Sequence, residues 1–306
     1  MISIKGKTHD LGDGFMVTRL LPQAARRSIG PFLFFDYFVP VYFPPGKGVD
    51  VRPHPHVGLA TVTYLFEGAQ MHRDTLGSVQ EIKPGDVNWM TAGRGIAHSE
   101  RTGAELRVRG HRLHGIQTWV GLPQKDEESE PHFQHFAAAD LPERDENGVR
   151  LRMITGEAFG LASPVKVFSP IFYADARFEA GGSFTVTAEH EERALFIVEG
   201  ELQIGGDQGV ETHGAGAMLF LEKGEIVTLF ADGAARVAAM VLDAVRAQVL
   251  IRCGIKLDAV LAGRVFNALV AQSARNSASS SAQLLRDLDQ LRTFLTGPGI
   301  YFAFDL

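Results

Sequence analysis

The sequence predicts an all-β fold of two tandem β-sandwich barrels with a helical segment after them. Three observations carry that prediction. Glycine is abundant, with 33 in 306 residues, and together with proline it punctuates short apolar runs of strand length. A pattern of spacing in the first half recurs in the second. After about residue 245 the apolar residues change to helical spacing.

The first block is assigned to residues 1–135. Its apolar segments are separated by Gly12-Asp13, Pro44-Pro45-Gly46 and Pro84-Gly85-Asp86, residue pairs that favour tight turns. The charged run Lys125 to Glu130 near its end reads as a solvated boundary loop with no part in binding. A second block, residues 136–245, repeats the first in outline. Tyr64-Leu65-Phe66-Glu67-Gly68 precedes Gly85, and Phe196-Ile197-Val198-Glu199-Gly200 precedes Gly216 at nearly the same interval. Two barrels of one ancestry produce such a pattern. In the last segment, residues 246–306, Ala259 to Arg275 and Gln283 to Leu295 have helical spacing and flank the stretch Ser277-Ala278-Ser279-Ser280-Ser281.

Charge and composition narrow the function. Thirty Lys and Arg against 36 Asp and Glu give a net charge of −6, opposite in sign to a protein that grips a phosphate backbone, so direct nucleic-acid binding is disfavoured. Met1 to Asp10 lacks a signal-like apolar core, and no run of about 20 apolar residues suggests a membrane span. The single cysteine, Cys253, cannot form an internal disulfide, and a cytoplasmic location is the default expectation.

A metal site is the chemistry most visible in the sequence. In Val51-Arg52-Pro53-His54-Pro55-His56 the two histidines are two apart, so on an extended chain both imidazoles project from one face. Gly93-Arg94-Gly95-Ile96-Ala97-His98-Ser99-Glu100 repeats the device, with a glycine-rich turn ahead of His98 and Glu100. Three imidazoles and a carboxylate suit Fe(II), Mn(II), Ni(II), Cu(II) or Zn(II), and not a hard oxygen cage for calcium or magnesium. With four protein ligands, a six-coordinate ion keeps two positions for reactants. The competing arrangement, a closed structural zinc site, is typically rich in thiolates.

At these residues the chain resembles the pirin family of the cupin superfamily. The resemblance is carried by His54-Pro55-His56-Val57-Gly58-Leu59-Ala60-Thr61-Val62-Thr63-Tyr64-Leu65, by Pro84-Gly85-Asp86-Val87-Asn88-Trp89-Met90-Thr91-Ala92-Gly93-Arg94-Gly95, and by Ile96-Ala97-His98-Ser99-Glu100. Leu113-His114-Gly115-Ile116-Gln117-Thr118-Trp119-Val120 and Pro31-Phe32-Leu33-Phe34-Phe35-Asp36 add to it. It is dense from about residue 19 to 123 and fades after about residue 258. The resemblance implies two cupin jelly-roll barrels, with one metal ion, most often iron, held in the first by His54, His56, His98 and Glu100. It also implies oxygen-dependent cleavage of flavonols such as quercetin, or, as in eukaryotic members, an iron-dependent regulatory role toward a protein partner. Many members have Glu where this chain has Ala60, a difference read here as a change in the pocket. The corresponding ligand positions of the second block fall on Val186, Ala188 and Leu229, so that barrel is expected to hold no metal.

Glu100 is the candidate catalytic base, since it is the one carboxylate in the constellation. His72, His111, His114, His132 and His135 are expected to be structural, and His190 and His213 to lie in turns or at the surface. Arg94 could orient an anionic substrate, although a turn arginine is more often solvated or salt-bridged. The aromatic run Phe32 to Phe38, with Trp89 and Met90, could wall a planar ligand or simply fill the core.

Overall fold

The computed structural model describes residues 1–12, 15–206 and 209–242. Cys253 and the two predicted C-terminal helices lie outside the described residues. Within them the chain is nearly all β, and helix is confined to the short Ala104–Arg109 and a 3-10 turn at Ala138–Asp140. Among the described residues no helix is long and apolar enough to cross a membrane.

Four sheets account for the strands, one of four and one of seven strands in the N-terminal half, one of eight and one of four in the C-terminal half. Phe15, Val17, Phe38, Leu65, Ile82 and Leu113 fill the space between the first two sheets. Leu151, Phe178, Leu195, Leu202, Val227 and Leu229 do the same between the second two. The two larger sheets pack on one another through a third core that includes Phe35, Val62, Tyr64 and Trp89 from one side and Tyr173, Phe196, Met218 and Met240 from the other. Each large sheet is thus covered on both faces, which explains why Val87–Thr91 is buried at every residue and shows no polar alternation.

The apolar run Phe32–Phe43 forms a long strand because its aromatic and β-branched residues suit a pleated surface with both faces covered. Pro40 interrupts it. The ladder with His111–Gly121 slips there, with Leu113 opposite Val41 but Gly115 opposite Phe38, as expected where a residue cannot donate to the sheet. The repeat seen in the sequence is visible in the backbone: Gly68, Gly85, Gly200 and Gly216 all have positive φ, between 77° and 83°.

Polar groups tie the two large sheets together. Asp175 is paired by Arg236, whose Nε donates over 2.7 Å, and Tyr64 donates its hydroxyl to the same carboxylate over 2.9 Å across the interface. The opening strand Ile2–Lys5 also crosses halves, pairing antiparallel with Ala217–Leu221 of the eight-stranded sheet.

Candidate metal centre

The small N-terminal sheet runs in the order Asp50–His56, Ile96–Arg101, Gln70–Asp74, Val79–Ile82. Asp50–His56 is its edge strand, which lets it carry Pro53 and Pro55 without breaking a ladder on its outer side. His98 stands opposite His54, and Ile96 opposite His56. A bulge then places Glu100 opposite Val51. The period-two spacing read from the sequence therefore becomes a shared face.

The turn before His98 is fixed from outside the sheet. Gly93 has φ of 50°, and a Cβ there would meet the Ser129 carbonyl at 2.0 Å. The Arg94 amide donates to that carbonyl over 2.9 Å, and the Arg94 side chain pairs with Glu130 over 2.6 Å in an exposed ion pair. The run 125–130 is therefore a brace for the turn and not merely a solvated loop. Arg94 takes the salt-bridged alternative of the two readings.

Three of the four predicted ligands are gathered. The ligand atoms of His54, His56 and His98 all lie within 4.8 Å of one another. His56 Nε2 and His98 Nε2 are 3.1 Å apart. Metal–imidazole bonds of about 2.0–2.1 Å require nitrogens about 2.9 Å apart for neighbouring octahedral positions and about 3.4 Å for tetrahedral ones, so the observed spacing fits two ligands of one ion. His54 Nδ1 lies 2.8 Å from the Arg52 carbonyl, which can only accept, so this ring donates from Nδ1 and keeps the Nε2 lone pair. Three imidazole nitrogens form a borderline donor set that fits a divalent transition ion.

Glu100 is buried near this group but outside the gathered triad. Gln117 donates Nε2 to both of its oxygens, at 2.8 and 2.9 Å, and Thr63 donates its hydroxyl to Oε1 at 3.2 Å. These donors come from the seven-stranded sheet facing the site. Burial, and next the neighbouring His98 and His54, push His56 down to about 3, against the opposing pull of Glu100. Burial, then His54 and His72, push His98 down to about 2, against Asp74. Both rings are therefore neutral near pH 7, the form that binds metal.

Of the residues around the triad, His72 was expected to be structural, and Asp74 and Phe133 were not singled out by sequence reasoning. His72 Nδ1 lies 3.3 Å from His98 Nδ1, and His72 Nε2 lies 2.9 Å from Asp74 Oδ2. Phe133 stacks on the His72 ring at 4.3 Å. The same two-apart spacing that flagged His54 and His56 is present in His72-Arg73-Asp74 and could have found this pair. Of the two readings of the Phe32 to Phe38 run, the core-filling one holds for most of its residues. Trp119 meets His56 edge to face at 5.1 Å and stacks on Phe34 at 4.2 Å. Phe32, Phe35 and Trp89 belong to the core between the large sheets, and Met90 to a small cluster with Ala92 and Ile96. Ala60 is corrected too. It is fully buried in the inter-sheet core beside Val62 and Tyr64, on the opposite strand face from Thr61 and Thr63, so it does not reshape the site directly.

The remaining histidines serve packing and hydrogen bonding. His114 is buried 2.9 Å from the Tyr37 hydroxyl, and burial, followed by the charge of Arg236, lowers it to about 4. His135 contacts Asn88 over 2.7 Å, His111 stacks on Phe43, and His132 is exposed. His213 pairs with Glu211, and His190 packs on Phe172. Among the described residues, the positions Val186 and Leu229 are buried in the second-half core, with no metal-type cluster there.

Comparison with known proteins finds relatives in both sequence and fold. The family model described as Pirin matches residues 14–120. A pirin-like protein of Caulobacter vibrioides is 50% identical over 205 residues, covering 66% of this chain and 70% of its own. Mouse pirin is 33% identical over 217 residues, 69% of this chain and 71% of its own. The crystal structure of quercetin 2,3-dioxygenase from Acinetobacter baumannii is similar with a TM-score of 0.72 and 32% identity, covering 79% of this chain and 78% of that one. The described fold is accordingly cupin-like.

Proposed function

The chain belongs to the pirin family, and from that premise we propose that it is a metal-dependent dioxygenase of quercetinase type, acting on flavonols such as quercetin. The supporting observation is the convergence of three buried or half-buried imidazoles beside a carboxylate that other side chains orient. His54, His56 and His98 would hold the ion, with Glu100 as fourth ligand and catalytic base. Fe(II) is the expected ion, although Mn, Ni, Cu and Zn suit the same donors. When bound, the ion supplies Lewis acidity toward the substrate hydroxyl and, if redox-active, electron exchange with dioxygen.

The protein's own part is positioning and proton transfer. Gln117 and Thr63 hold the Glu100 carboxylate in one orientation. Oε1 accepts from both donors and Oε2 from Gln117 alone, so Oε2 is the oxygen with capacity to take the flavonol proton. Trp119, braced by Phe34, offers a flat apolar side beside His56.

The test is aerobic loss of the quercetin absorption band with iron-loaded protein, metal-free protein and Glu100→Gln. Loss with the loaded protein alone, slowed by about 10²-fold or more in Glu100→Gln, is the expected result. A second reading, a metal-gated binding protein with a protein partner in the cytoplasm, is favoured by the anchoring of both Glu100 oxygens to protein donors. Unchanged quercetin over the loaded protein would reject the enzyme and leave this binder.

A further inference from the structure

Behind His98, on the side away from His54 and His56, a second pair of side chains completes a hydrogen-bonded line. We propose that Asp74 and His72 are positioning residues that fix the tautomer of His98 and so aim its Nε2 lone pair at the metal. This rests on the metal-centre reading above and extends it by two residues.

The direction of each hydrogen bond follows from the end of the line. Asp74 Oδ1 accepts from the backbone amides of Leu76 at 2.9 Å and Ser78 at 3.0 Å, which locks the carboxylate. Oδ2 is left facing His72 Nε2 at 2.9 Å, with the two side chains 0% and 5% exposed. A carboxylate accepts, so the His72 proton is on Nε2. His72 Nδ1 then has a lone pair, and the facing Nδ1 of His98, 3.3 Å away, must be the donor. A neutral imidazole has one proton. With that proton on Nδ1, His98 Nε2 is unprotonated, and it is this atom that lies 3.1 Å from His56 Nε2. Phe133, stacked on His72 at 4.3 Å, holds the relaying ring in plane. Outer partners of this kind fix ring orientation and raise ligand basicity.

The locked carboxylate makes the idea testable by an isosteric change. In Asp74→Asn the carbonyl oxygen must stay with the Leu76 and Ser78 amides, so the amide NH2 turns toward His72 Nε2. The His72 proton moves to Nδ1, and His98 is driven to carry its proton on the metal-facing nitrogen. The experiment measures Co(II) affinity of the full chain by competition with a chromophoric chelator, together with the Co(II) absorption spectrum and the thermal midpoint of each metal-free variant. Asp74→Asn and His72→Phe are each expected to weaken Co(II) binding by about 10- to 100-fold. The double variant should be no weaker than the worse single one, because Asp74 acts through His72. His72→Asn, which keeps an acceptor in reach of His98 Nδ1, should recover most of the affinity even if His72→Phe folds poorly.

Affinity of Asp74→Asn within about twofold of the parent, while His98→Gln loses the site, would overturn the inference and leave the metal centre standing. Losses that multiply in the double variant would overturn it as well, as two independent structural effects. A parent protein that binds Co(II) no better than His98→Gln would instead remove the metal-centre reading, and this inference with it.

Discussion

If the ion sits among His54, His56 and His98, a fluorescent side chain already stands next to it. Trp119 and Trp89 are the two tryptophans of the chain, and both lie in the seven-stranded sheet. Trp119 is opposite Thr61 and Trp89 opposite Val62, and since adjacent residues of a strand face opposite ways, the two indoles lie on opposite faces. Trp119 is 5.1 Å from the His56 ring centre, and adding roughly 1 Å from ring centre to nitrogen and about 2 Å for the bond puts the ion within about 8 Å of Trp119. A paramagnetic ion such as Co(II) or Cu(II) quenches an indole efficiently at that range. Titration of the metal-free protein with Co(II) should therefore remove the Trp119 emission in a saturable one-to-one fashion. Trp119→Phe should abolish most of the metal-dependent change while keeping Trp89 emission and Co(II) affinity. Quenching that persists undiminished in Trp119→Phe would place the ion elsewhere and refute the geometry.

Two further outcomes follow from other parts of the structure. The metal-free protein should lose stability on acidification: His56, His98 and His114 are lowered to about 3, 2 and 4 in the folded state, so between the unfolded value near 6.5 and those values the unfolded chain binds more protons, and stability falls with pH at up to about 1.4 kcal/mol per unit for each ring. A urea midpoint that does not fall between pH 7 and pH 5 would count against these buried neutral rings. Gly68→Ala should lower the thermal midpoint more than Gly77→Ala, because both have left-handed φ (83° and 89°) costing about 1–2 kcal/mol, but only at Gly68 would the new Cβ meet a backbone atom, the Arg112 carbonyl at 2.1 Å. Equal midpoints would refute the steric account.

The parts of the site that were legible in the sequence are those encoded by spacing within one strand. His54-Pro55-His56 and the glycine turn before His98 need no knowledge of partners, because a two-residue period alone puts their side chains on one face. Glu100 has the same spacing from His98, yet the bulge at Arg52 and Pro53, opposite Ser99, and the donors Gln117 and Thr63 give it surroundings of its own. Those donors come from strands distant in sequence, set by sheet register that local pattern does not contain. Trp119 was hidden for the same reason, and Phe32 to Phe38 left both a ligand wall and plain core open because a strand covered on both faces has no polar alternation to show which side is which. The repeat of Gly68 and Gly200 was readable because a left-handed turn constrains residue type directly.

The pairing of Ile2–Lys5 with Ala217–Leu221 has a bearing on how the molecule is made. Synthesis proceeds from the amino end, so Ile2–Lys5 has to wait, without its hydrogen-bonding neighbour, until more than two hundred further residues have followed. Closure of such a long loop is slow, and during the delay the nascent strand has unsatisfied amides and carbonyls along its length. Three of its four side chains are exposed in the finished protein, and its last residue is Lys5, a charge of the kind that discourages stray edge-to-edge association while the rest of the chain emerges.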